Sequence, residues 1–149
     1  MVSKYTLKLV SIDEVYQVRH PILRPNRPFS SCIFENDNDP KSIHLGAFYN
    51  KQLVGVLSAI SNNSSDFFSL KGMQFRGMAV LENHRRKGVA TALIEELFKR
   101  VKQKKQWDYV WLNARVNSIL LYLNIGMTPI GALFDIPKIG LHQRFFKKL

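Results

Sequence analysis

The chain has 149 residues, 46% of them apolar, and a net charge of +11. That is enough for one folded domain with one sizeable core, and no apolar run is long enough to span a membrane. Residues 1–5 lack the apolar stretch of a secretory signal, and the single cysteine, Cys32, rules out an internal disulfide, so a reducing, cytoplasmic setting is expected.

Residues 5–9 alternate apolar and polar and predict a first strand. Ser11 and Glu14 form the sequence signature of a capping box, which predicts a short helix through Val18. Residues 19–40 carry four prolines and end in the acidic run Glu35-Asn36-Asp37-Asn38-Asp39, which reads as a long loop of functional or mobile character. Residues 43–49 and 52–60 predict two strands of a hairpin turned at Asn50-Lys51. Residues 73–81 are nearly continuously apolar, as suits the centre of a sheet.

A helix follows, with Ala90, Leu93, Ile94, Leu97 and Val101 on one face and the pairs Glu95–Lys99 and Glu96–Arg100 on the other. Residues 109–113 predict a buried strand and residues 117–123 a short helix stopped near Gly126. Residues 130–134 and 143–146 predict the last two strands. The order suits an α/β architecture, a mixed sheet with helices on both faces.

The stretch Arg85-Arg86-Lys87-Gly88-Val89-Ala90-Thr91 lies between the apolar strand and the amphipathic helix. The first turn of a helix presents unpaired N–H groups and partial positive charge, so a strand, a basic glycine-containing loop and a helix start make an anion site. Gly88 permits close backbone approach, and Arg85, Arg86 and Lys87 add mobile charge. The expected ligand carries a di- or oligophosphate. The lysines around 99–105 and the basic run 144–148 fit a nucleic-acid face as well as a solvated helix end; the second is the favoured reading.

Arg-x-x-Gly-x-Ala after a strand ending in Met78-Ala79-Val80 resembles the acetyl-CoA pyrophosphate loop of the GCN5-related N-acetyltransferases. Tyr122-Leu123-Asn124-Ile125-Gly126-Met127 resembles that family's Tyr-Glu-Lys-Leu-Gly-Phe element, and residues 109–113 resemble its fifth strand. The resemblance implies a mostly antiparallel mixed sheet splayed between strands 4 and 5, one acetyltransferase domain over residues 1–149, acetyl-CoA as acyl donor and no metal. It places the pantetheine arm on the backbones of Met78 and Val80, with the Val80 amide polarising the thioester carbonyl and Gly77 easing a bulge. Tyr122 would protonate the departing thiolate.

The position where the family commonly has Asn falls on Arg115, with Asn113 and Asn117 two residues to either side, so the cofactor contact is open among them. The general base is open among Glu82, His142, Asp135, His44 and ordered water. Asp135 to His142 reads Asp-Ile-Pro-Lys-Ile-Gly-Leu-His and resembles a shaped closing segment in a subset of the family. Arg19 and Arg24 are candidates for gripping an acidic acceptor, Arg76 and Asp135 are further substrate-binding candidates, and Arg115 is a candidate for substrate or phosphate. Cys32, beside Ile33 and Phe34, reads as a packed apolar residue, with a nucleophile as the alternative.

The expected activity is acetyl transfer to the primary amine of a small molecule by direct transfer in a ternary complex. A protein or peptide acceptor, and a non-catalytic module binding CoA or nucleic acid, are the rivals; a homodimer is compatible with either.

Overall fold

A computed structural model describes residues 4–149. By internal packing the chain divides into two compact units, residues up to 60 with 76–100, and residues 61–75 with 101–149. In the first unit strand β1 (Thr6–Leu9) is followed by helix α1 (Ile12–Leu23), then by β2 (Ile43–Tyr49) and β3 (Gln52–Ser61). Both β1–β2 and β2–β3 pair antiparallel. Strand β4 (Gly72–Val80) enters this unit at Arg76, and helix α2 (Val89–Lys104) follows it after a 3-10 turn at Glu82–His84.

The second unit holds the start of β4, strand β5 (Tyr109–Arg115), helix α3 (Ile119–Asn124) and strands β6 (Thr128–Ile136) and β7 (Gly140–Lys148). Hydrogen-bonded neighbours follow the order β1-β2-β3-β4-β5-β7-β6, a seven-stranded mixed sheet. The α2 crossover makes β4 and β5 parallel, as a strand–helix–strand unit requires. That ladder is confined to Gly72–Gln74 against Tyr109–Trp111. The last two pairings, β5–β7 and β6–β7, are antiparallel. Among the described residues no helix is long and apolar enough to cross a membrane.

The first helix differs from expectation. Its capping box is present, with the Glu14 amide donating to Ser11 Oγ and the Ser11 amide to Glu14 Oε1. The helix continues to Leu23, however, carrying Pro21 inside its last turn. Val15 and Val18 are buried against Val56 and Ala79, with Ile22 and Leu23 packed alongside. This apolar face keeps its helical spacing past Val18, and its burial outweighs the one backbone hydrogen bond a proline forfeits. The loop after it holds a short 3-10 turn at Phe29–Cys32.

In α2, Leu93, Ile94, Leu97 and Val101 are fully buried, the face expected from their spacing. The final strands are longer than expected, so Asp135 and His142 lie on β6 and β7, and the shaped segment is their hairpin turn.

Strand β4 carries one surplus residue. The Leu81 amide donates to Val54 and the Asn62 amide to Gly72, so β3 and β4 run in opposite directions. Between those two bonds β3 advances eight residues and β4 nine. The extra residue marks a bulge, and Gly77, with φ of +66° in mid-strand, is where the backbone takes the left-handed conformation that favours glycine. Because backbone groups alternate sides along a strand and Leu81 faces β3, those of Met78 and Val80 face away from it.

Candidate active site

The basic loop lies in the first unit. Arg85, Arg86, Lys87 and Gly88 are exposed, and Val89 is buried where it opens α2. The Ala92 amide donates to the Gly88 carbonyl at 3.0 Å, the first bond of the helix, so the amides of Val89, Ala90 and Thr91 have no acceptor within it. Gly88 has φ of +84°, and a Cβ built on it would meet nothing within 4 Å. Glycine serves there for backbone conformation, and the space over it is open. These features fit a diphosphate: three helix-start amides, three cationic side chains and an unobstructed backbone. Arg85 Nε donates to the Val80 carbonyl at 3.1 Å, tying the loop to the end of β4. Glu82 is exposed in the 3-10 turn before the loop.

Behind β4 the first unit holds a buried polar cluster. Arg19, on α1, is fully buried. Its Nη1 donates to Asp37 Oδ2 at 2.7 Å and to the Cys32 carbonyl at 2.9 Å. Its Nη2 donates to Asp37 Oδ1 at 3.3 Å and to Ser58 Oγ at 2.9 Å. Asp37 Oδ2 also accepts from the Tyr16 hydroxyl and the Phe34 amide. His44 bridges Ser58 Oγ and the Asp37 carbonyl through its two ring nitrogens.

The environment sets the protonation of these groups. Burial alone would push the Asp37 carboxyl up, but Arg19, the Phe34 amide and Tyr16 together hold it below the usual carboxylate range. The Tyr16 phenol is pushed up to about 12 by burial and by the Asp37 charge. Burial lowers His44 and raises the Cys32 thiol. His44 therefore resists the charge it would have to take up as a base, and Cys32 resists becoming a thiolate.

Arg76, on β4, donates through Nη2 to the Glu35 carbonyl and stands 3.6 Å from Asp37 Oδ1. The guanidinium groups of Arg19, Arg24 and Arg76 lie 4.2, 5.4 and 5.3 Å from the centre of the Phe34 ring, three cations around one aromatic. The acidic run at 35–39 is thus more than a solvated turn, since Asp37 is buried in it. Arg19 was expected as a loop residue reaching for an acceptor; four of its donors are already held inside the cluster. Arg24 caps the end of α1.

In the second unit Tyr122, on α3, is buried with Phe75 at 6.1 Å and Phe145 at 5.7 Å between ring centroids. Burial pushes its phenol up, so it stays protonated. His142 is buried on β7, its Nδ1 2.7 Å from the Gly140 carbonyl and its ring stacked on Phe134. The carbonyl accepts, so Nδ1 carries the proton.

Asn113 accepts from Arg144 Nε at 2.9 Å. Arg144 also pairs with Asp66 at 3.0 Å and covers the Trp111 ring. A residue of the basic run 144–148 is therefore the hub of a polar network. Arg115 and Asn117 are exposed around the end of β5, and Asp135 is exposed on β6. Among the described residues no group of histidine, cysteine and acidic side chains is arranged to hold a metal ion.

The model of the acetyltransferase (GNAT) family matches residues 9–127. The uncharacterized N-acetyltransferase YitI of Bacillus subtilis (strain 168) is 32% identical over 143 residues, covering 96% of this chain and 95% of that protein. An aminoglycoside 6'-N-acetyltransferase complexed with coenzyme A superposes with a TM-score of 0.74 at 15% identity, covering 96% of each chain. A mutant of the spermidine N-acetyltransferase SpeG from Vibrio cholerae superposes with a TM-score of 0.74 at 16% identity, covering 99% of this chain and 95% of that one. At such identities the structural likeness speaks to fold alone.

Proposed function

The chain belongs to the GNAT family of acetyltransferases and is an acetyl-CoA-dependent acyltransferase, and we propose that it transfers an acetyl group directly to the primary amine of a small molecule within a ternary complex. The observation that carries the reading is the loop of Arg85 to Thr91. It combines an open, positive-φ Gly88, helix-start amides without acceptors in the helix and a triplet of exposed cations. Met78, Ala79, Val80, Arg85, Arg86, Lys87, Gly88, Val89, Ala90 and Thr91 are the proposed donor-binding residues, with Asn113 and Asn117 as further contacts. The small amines named for the aminoglycoside and spermidine enzymes support an acceptor of that size.

Bound there, acetyl-CoA supplies an activated acyl group, and the protein must position it, stabilise charge on its carbonyl oxygen and manage two protons. The Val80 amide is the proposed donor to that oxygen, a fixed dipole that needs no reorganisation. Tyr122 is the proposed proton donor to the thiolate. Its raised pKa makes it a hydrogen-bond donor that resists being left as phenolate, so a proton it passes on has to be replaced from the acceptor side. Direct transfer suits a chain whose only thiol, Cys32, is buried and discouraged from ionising.

Release of CoA thiol across a panel of amines, polyamines, aminoglycosides and peptides tests the reading. Turnover of small primary amines is expected. Turnover of peptides alone would refute the acceptor assignment.

A further inference from the structure

Taking the acetyltransferase reading as its basis, we propose that the acceptor is an amino carboxylate, and that Arg76 receives its carboxylate beside the Gly77 bulge. Arg19 has five N–H groups, and four are used inside the cluster. The fifth, on Nε, is buried without an acceptor. It lies against Gly77, whose missing Cβ would stand 3.0 Å from it.

Arg76, which precedes Gly77 on the strand, also has a buried Nε–H without an acceptor. Its pairing runs through Nη2, and its side chain keeps 22% exposure. Asp37 is no substitute for a ligand here. It already accepts from Arg19, Tyr16 and the Phe34 amide, and it meets Arg76 only as a looser ion pair at 3.6 Å.

Charge leads to the same conclusion. Three guanidinium groups surround the Phe34 ring, and the carboxylates acting on Arg76 are the saturated Asp37 and the exposed Glu35. A polyamine brought to this place would add like charge, whereas a carboxylate would satisfy it. Arginine is also the side chain whose planar fork matches a carboxylate with two hydrogen bonds. Arg76 precedes Met78 by two residues, about 7 Å of strand, so a carboxylate held there lies within a small molecule's length of the proposed acyl site.

The test compares acids with their amides. Acetyl-CoA turnover is measured with the twenty common amino acids, β-alanine and 4-aminobutyrate, each against its own carboxamide, and with spermidine. For the preferred acceptor the acid is expected to exceed its amide by tenfold or more in kcat/KM. In Arg76→Gln the acid's KM should rise with kcat little changed and the preference should collapse. Arg76→Lys should restore part of it, keeping charge without the fork. Equal turnover of acid and amide, or preference for spermidine, overturns the carboxylate assignment while leaving acyl transfer intact. No turnover with any amine, together with no calorimetric binding of CoA, overturns both. The wild-type acid-to-amide ratio decides the matter even if the Arg76 variants fold poorly.

Discussion

Replacing Asp37 with alanine would leave Arg19 buried and without its counter-charge. The two side chains are 1% and 0% exposed, so water screens neither. Removing one partner of a buried ion pair costs about 3–5 kcal/mol, because the desolvation of the remaining charge is no longer offset. The Tyr16 hydroxyl and Phe34 amide lose an acceptor in the same step, which places the expected loss near the middle of that range, about 4 kcal/mol, or a urea midpoint lower by about 2 M.

The double substitution Arg19→Met with Asp37→Leu removes both charges and should recover most of the loss. Urea unfolding followed by circular dichroism at neutral pH measures both variants. Because folding lowers the Asp37 pKa, the unfolded chain takes up the proton first as the solution is acidified. The stabilisation is therefore complete above the unfolded value of about 4 and is lost as pH falls below it through the folded one. The advantage of wild type over Asp37→Ala should shrink in that window. A loss under about 1 kcal/mol at neutral pH would refute the claim that this pair is an uncompensated-charge hazard.

Three further outcomes are expected. Gly88→Val should weaken CoA binding in calorimetry, since valine disfavours a φ of +84° and fills the open space; equal affinity of the wild type for CoA and for pantetheine would show that the loop does not hold phosphate. Tyr122→Phe should lower kcat by about a hundredfold with acetyl-CoA affinity nearly unchanged, and a folded variant with wild-type turnover under chemistry-limited conditions would make the residue structural. Cys32→Ala should retain turnover and sequential kinetics; ping-pong kinetics in the wild type would show that the buried thiol forms an acyl intermediate.

What could be read from residue order was whatever depends on local period or local chemistry. The spacing of Leu93, Ile94, Leu97 and Val101 is a helix face wherever the helix lies, and a glycine after three cations marks a candidate anion site before any fold is known. Pairings between residues distant in sequence were hidden. Arg19 and Asp37 are eighteen positions apart across a proline-rich segment, and nothing in the acidic run distinguished the buried Asp37 from its neighbours Glu35 and Asp39. One signal was available: Val15, Val18 and Ile22 keep helical spacing across Pro21, which places Arg19 on a packed helix rather than in a loop. Arg144 was obscured in the same way by its basic neighbours, and its partners at positions 66 and 113 lie on other elements.

The surplus residue in β4 separates what the fold needs from what the site uses. Arg76 meets Asp37 on the α1 side, and Ala79 packs with Val15 and Val18 there. They are three positions apart, an interval that unbroken alternation would send to opposite faces. Shortening the strand by one at Gly77 would make the interval two and let the ladder close in ordinary rhythm, with Arg76 and Ala79 still on their present face. A loss before Arg76 or after Ala79 would instead turn side chains over. Positions 77 and 78 are thus where this strand's length is free to change without inverting its pattern, and the surplus residue is one that the alternation of the strand does not itself require.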